Sequence, residues 1–198
     1  MRRYGTLYAI VYVLMLLVSF VLPFFSSEGY SIRENSLSEL GAQETPYSWV
    51  MNIIFMLLSI VTVFLATKVL KRYWLPLYLL YFFAAAFFFT GVYRHAPIHK
   101  LFYLEGEHLA HTVFSAIAGT SFCVYGIVIS FYLKDKFEKV SAIVSCALVA
   151  GLSLAMLEFP TYRGILQRLL FILAFGWLFY SLVTFTFGRT YKPISYEK

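Results

Sequence analysis

Four histidines, His95, His99, His108 and His111, fall within one short stretch of the chain, with Glu105 and Glu107 among them. If a helix has begun by Glu107, His108 and His111 lie on neighbouring turns. Glu107 and His111 are then four apart, and Glu105 and His108 three apart, so each pair shares a helical face. Neutral imidazole and carboxylate are suitable zinc ligands. An imidazole that titrates near neutrality also serves as general base or acid. His95 and His99 can contribute from across the preceding loop, although Pro97 disfavours a regular helix between them. H-x-x-H is present but H-E-x-x-H is absent, so no metal ligand set is assigned. Zinc is the cofactor such a cluster would accept.

A second group is Glu158, Arg163, Gln167 and Arg168. Arg163 and Gln167 share one helical face, and Arg168 lies about one turn inside an apolar segment. A charge there is costly unless it pairs, snorkels or faces a wet cavity. Glu158 is the nearest partner in sequence, which predicts an interface ion pair. The sharper reading is an anion clamp, because an arginine fork matches phosphate oxygens. A third group is Ser36, Ser38 and Glu39, followed by Gly41, which permits a turn closed to larger residues. The serines can hydrogen-bond a ligand, and Glu39 can hold an arginine or a histidine. Folding back to plug the bundle is the competing role of this loop. Asn52, about a turn into the next apolar run, reads as interhelical glue or as a pocket residue.

These residues sit at the edges of something very apolar. Hydrophobic residues make up 61% of the 198 residues and charged ones only 13%, and Phe alone occurs 21 times. Soluble domains carry about 25% charged residues. Six runs are long enough to cross the hydrocarbon, near 5–25, 48–68, 73–93, 109–132, 141–158 and 165–187. The run Phe82-Phe83-Ala84-Ala85-Ala86-Phe87 does not alternate in polarity, which excludes barrel strands. The fold expected is an all-α integral membrane protein, a six-helix bundle in a single domain. The first run outlasts an ordinary signal core and lacks an A-x-A site, so it reads as a retained helix. Thr45 with Pro46 is expected to cap the second helix and Thr161 the sixth, while Pro160 ends the fifth.

Basic residues orient the bundle. Eleven of the 16 lie on the side of the N-terminus and five on the other. Both ends are therefore expected in the cytoplasm, with the histidines and the Ser36–Glu39 loop on the extracytoplasmic side. The net charge of +6 is scattered over short connections and forms no basic stripe, which argues against nucleic acid. Cys123 and Cys146 both lie in apolar runs without a C-x-x-C and read as packing residues. Ser115, Gly119 and Cys123 recur every four residues, as do Ala147, Gly151 and Ala155. Such faces predict close helix packing, with a lipid groove as the alternative.

The segment Ser36-Leu37-Ser38-Glu39-Leu40-Gly41, with Pro46 and Asn52 beyond it, resembles the bacterial membrane-protein family called domain of unknown function 998. The resemblance extends to His108-Leu109-Ala110-His111-Thr112-Val113-Phe114, to Phe159-Pro160 and to Arg163-Gly164-Ile165-Leu166-Gln167-Arg168. More distantly the chain is similar to the six-helix Frag1/DRAM-like superfamily. The resemblance implies a six-helix bundle with a substantial first outer loop in a bacterial cell membrane. Relatives associated with lipid-anchor remodelling imply a lipid partner.

The function expected is binding or remodelling of a membrane lipid at the extracytoplasmic boundary. In a catalytic version, acyl transfer or ester hydrolysis, His108 or His111 acts as base and Glu105, Glu107 or Glu39 orients the imidazole. Arg163 and Arg168 then hold phosphate or developing charge, and Ser36, Ser38, Asn52, His95, His99, Glu158 and Gln167 complete the substrate site. A non-catalytic structural or regulatory bundle with a membrane-protein partner is one alternative. A small-solute transporter is another, although no inverted repeat is visible.

Overall fold

The computed structural model describes residues 2–98 and 102–186; His99 and the tail beyond 186 lie outside them. The described residues form six membrane-length apolar helices. In chain order they are α1 (Arg2–Val21), the four-residue α2 (Leu37–Leu40), α3 (Ser48–Leu70), α4 (Trp74–Val92), α5 (Glu105–Tyr132), α6 (Lys136–Glu158) and α7 (Arg163–Thr186). Short 3-10 turns at Leu22–Phe25 and Pro160–Tyr162 extend α1 and introduce α7.

Two helices start earlier than apolarity predicts, and each has a local cause. The α5 helix opens on Glu105 and Glu107, whose charge suits the positive end of the helix dipole. The α6 helix opens at Lys136 because the Asp135 carboxylate accepts the Glu138 amide at 3.1 Å. Thr45 is not the cap of α3. That position belongs to Tyr47, held at φ 55°, while the Thr45 amide is bonded back to Ala42 in a turn. Thr161 lies inside the 3-10 turn before α7 and provides no cap.

The helices run antiparallel around a ring, each packed on the next, and α7 closes it against α1. The α3 helix buries the largest share of its apolar stretch and also touches α7 across the middle; α6 buries the least. The centre is aromatic. Phe55 and Phe87 lie 5.0 Å apart, Phe87 and Phe175 5.1 Å, and Phe55 and Phe171 5.5 Å, within the range where tilted rings attract. Polar ties are few. The Tyr8 and Tyr12 hydroxyls donate to the Phe175 and Ile172 carbonyls at 3.2 and 2.9 Å, pinning α1 to α7.

The small-residue faces do not behave as expected. A Cβ on Gly119 or on Gly151 would meet nothing within 4 Å. Ala147 and Gly151 lie on the exposed side of α6. The close approach occurs instead at Gly126, where a Cβ would fall on the Cys146 sulfur, and at Gly91, where it would come within 2.8 Å of the Asn52 carbonyl.

Candidate functional site

At the end of the bundle that carries the long loops, residues 36–43 are buried without interruption although only half of them are helical. Their polar groups must find partners. Ser36 and Glu39 form a capping box around α2: Ser36 Oγ accepts the Glu39 amide at 3.2 Å and the Glu39 carboxylate accepts the Ser36 amide at 2.5 Å. Asn52 Nδ2 donates to the Gly41 carbonyl at 3.0 Å, joining α3 to the loop rather than to another helix. Gly41 sits at φ −93°, so it is not needed for a left-handed turn. It is needed because a Cβ would strike the Asn52 side chain. Gln43 reaches the second loop, its amide bonded to both the Leu104 N–H (2.8 Å) and carbonyl (3.1 Å). The loop is a lid plugged into the bundle.

Arg168 holds this lid from below. It is 3% exposed and makes five hydrogen bonds. Four go to the carbonyls of Ser19, Ile32, Asn35 and Gly164, and the fifth to the Tyr30 hydroxyl at 2.9 Å. Glu158 is not its partner; that side chain is exposed at the end of α6. The phosphate-clamp reading of Arg168 meets an obstacle of its own, because each of the three guanidinium nitrogens already donates to an oxygen of the protein. Tyr30 passes its own proton to the Asn35 and Ser36 carbonyls at 3.0 and 2.9 Å. Burial pushes the Tyr30 phenol up to about 12, against the opposing pull of Arg168. Gly164 allows the loop this close: a Cβ there would collide with the Ile32 and Asn35 carbonyls. Arg163 is exposed and lies 3.7 Å from the Glu39 carboxylate.

Three histidines converge beside the lid. The His95 ring lies 4.6 Å from His108 and 5.3 Å from His111. Among the described residues no carboxylate is hydrogen-bonded to them. Glu107 is held in a two-point fork by Arg94 at 3.0 and 3.2 Å, and Glu105 is exposed. Backbone groups do the orienting. His95 Nδ1 lies 2.8 Å from the Ala96 carbonyl and His111 Nδ1 2.8 Å from the Tyr93 carbonyl. A carbonyl only accepts, so both Nδ1 atoms carry the proton and each neutral ring presents a bare Nε2. His108 is the reverse: its Nδ1 accepts the Ala96 amide at 3.2 Å, which leaves the proton on Nε2. Burial lowers the pKa of His95 below its ordinary 6.5, opposed by the Ala96 carbonyl and assisted by His108. Among the described residues no group of three or more His, Cys, Asp or Glu side chains is arranged to hold a metal ion.

Below the lid a cavity of about 150 Å³ opens between α4, α5, α6 and α7. Its roof is polar, formed by Ser38, Thr90, Ser115 and Gln167. Its walls are Phe83, Phe87, Phe122, Phe171 and Phe175, and the empty face of Gly119 gives it width. From Thr90 to Phe83 is two helical turns, roughly 10 Å of depth. The Thr90 and Ser115 hydroxyls are bonded within their own helices, to the Ala86 and His111 carbonyls. Gln167 Oε1 accepts the Leu37 amide at 2.5 Å and so anchors α2 on α7.

The structure therefore brings Ser36, Ser38, Glu39, Asn52, Arg163, Gln167 and Arg168 to one lid, and His95, His108 and His111 to its flank. Glu105 and Glu158 stand apart. Tyr30, Gln43, Arg94 and Thr90 were not singled out from the sequence. Of these, only Arg94 carried a signal: a charge at the end of an apolar run, thirteen residues before an acid on the next helix.

A family model described as "Protein of unknown function (DUF998)" matches residues 10–184. No curated protein matches, and no solved structure does.

Proposed function

The chain belongs to the family of bacterial membrane proteins with that description, and from this premise we propose that it is a lipid-binding protein of the cell membrane, its site turned to the extracytoplasmic side. The observation that carries the reading is the polarity gradient of the cavity. A polar roof at the membrane boundary and aromatic walls within the hydrocarbon match a lipid's head and tail. The excess of basic residues on the opposite side supports the orientation.

Trp177 supplies the test. It lies 5.7 Å from Phe122, a cavity wall, whereas Trp49 and Trp74 are exposed on the outer surface. In a Trp49→Phe/Trp74→Phe background, lipids with dibrominated chains quench Trp177 saturably. Gly119→Phe fills the groove and abolishes the saturable part. Quenching that merely tracks the bulk bromolipid fraction, unchanged by Gly119→Phe, contradicts the reading.

The converging imidazoles favour a second reading, chemistry on the bound lipid. Two bare Nε2 atoms, on His95 and His111, are suited to take a proton from water or a lipid hydroxyl. Turnover of native membrane lipids by purified protein, lost in His111→Gln with lipid binding retained, supports it; no turnover of any lipid rejects it.

A further inference from the structure

Two polar groups in the roof of the cavity have no partner among the described residues. One is the Ser38 hydroxyl, on a residue only 8% exposed. The other is the Gln167 amide nitrogen, whose oxygen is taken by the Leu37 amide. Leu37 joins them: Gln167 grips its backbone and Ser38 is the next residue. Both line the same cavity, and both are hydrogen-bond donors. Both donors face the cavity rather than protein, so a ligand acceptor placed there exchanges water for a direct bond, a net gain of about 0.5–1.5 kcal/mol each.

Charge narrows the acceptor. Among the described residues no Lys or Arg lines the cavity. Arg168 is satisfied by four carbonyls and a phenol, and Arg163 faces Glu39. A phosphate brought to this roof would lose its water without gaining a charge-assisted bond. A neutral carbonyl oxygen has two lone pairs for two donors and little solvation to surrender. Size narrows the tail. A cavity of about 150 Å³ holds roughly a benzene ring's worth of carbon: one chain segment, and no second chain beside it.

On the lipid-binding reading above, we propose that the cavity takes the ester end of a neutral single-chain lipid, of the monoacylglycerol class. Ser38 Oγ and Gln167 Nε2 donate to the ester carbonyl, and the first carbons of the chain lie along Phe87, Phe122 and Gly119.

The test uses full-length protein in nanodiscs with Trp177 as its only tryptophan. Four probes of equal chain length carry dibrominated tails: a monoacylglycerol, the free fatty acid, a lysophosphatidic acid and a headless alkane. The monoacylglycerol is expected to quench at the lowest concentration and the lysophosphatidic acid at the highest. Ser38→Ala removes one donor. Gln167→Glu keeps the oxygen that anchors Leu37 and replaces the donor by an acceptor. Each should weaken the monoacylglycerol about threefold to tenfold and leave the alkane unchanged. If the lysophosphatidic acid or the fatty acid binds as well as the monoacylglycerol, or neither variant alters the order, the head assignment is overturned while lipid binding stands. If no probe, the alkane included, quenches Trp177 saturably, both readings fall.

Discussion

Removing the Arg168 side chain would take a donor from the carbonyls of Ser19, Ile32, Asn35 and Gly164, of which Asn35 keeps the Tyr30 hydroxyl. Each unmet group costs about 1–3 kcal/mol, with the network partly relaxing. Arg168→Met is therefore expected to lower unfolding stability in detergent by roughly 3–5 kcal/mol. Arg168→Lys should recover little, because a point ammonium cannot span acceptors spread around a planar fork. A phosphate clamp predicts the opposite: intact stability and a selective loss of phospholipid. His95 gives a pH dependence. Burial holds its pKa below the ordinary 6.5, so the folded protein binds fewer protons than the unfolded chain. The stability that comes from its neutral form is complete above about pH 6.5 and is lost as the pH falls through the lowered value. His108, His111, Glu39 and Arg163 act on the same ring, so His95→Gln should flatten the acid side of a melting-temperature profile without abolishing it. An unchanged slope contradicts this. The sequence marks these residues by type, since charges and imidazoles beside apolar runs stand out. It does not show that carbonyls satisfy Arg168, because a backbone acceptor has no letter of its own.

Helices were legible where length alone decides, because crossing hydrocarbon needs about 20 apolar residues. Their starts were less so: the first turns of α5 and α6 are polar, and a cap such as Asp135 lies outside the apolar count. Their facing was least legible. These helices are apolar all round, so periodicity does not separate the core side from the lipid side. That is why Gly119, in a stripe of small residues, reads as a close contact and proves to border a cavity. The two kinds of glycine respond differently to substitution. Gly126→Ala puts a methyl on the Cys146 sulfur and should cost about 1–3 kcal/mol. Gly119→Leu enters open space and should change stability by less than about 1 kcal/mol, while weakening bromolipid quenching of Trp177. Equal destabilisation by the two would mean that the space beside Gly119 closes in the membrane.

For the whole molecule, the division of labour follows the solvent. Phenylalanines fill the middle of the bundle, where no water is available to polar groups, and the unusual polar chemistry gathers at the end with the long loops. There a plugged loop closes the upper end of a narrow cavity, and an arginine with five bonds and three imidazoles lie beside that loop. The sides are open to labelling. With an even number of crossings, single cysteines placed at Glu34 and at Lys71 should react with an impermeant maleimide in intact cells at the first position and not at the second. The measurement that bears most directly on the central claim is a density map of the protein purified in its native lipids. A lipid seated in the cavity gives one elongated feature that starts within hydrogen-bonding reach of Ser38 and Gln167 and descends beside Phe87 and Phe122. A cavity collapsed onto Gly119, or one holding only isolated water-sized peaks, would contradict it.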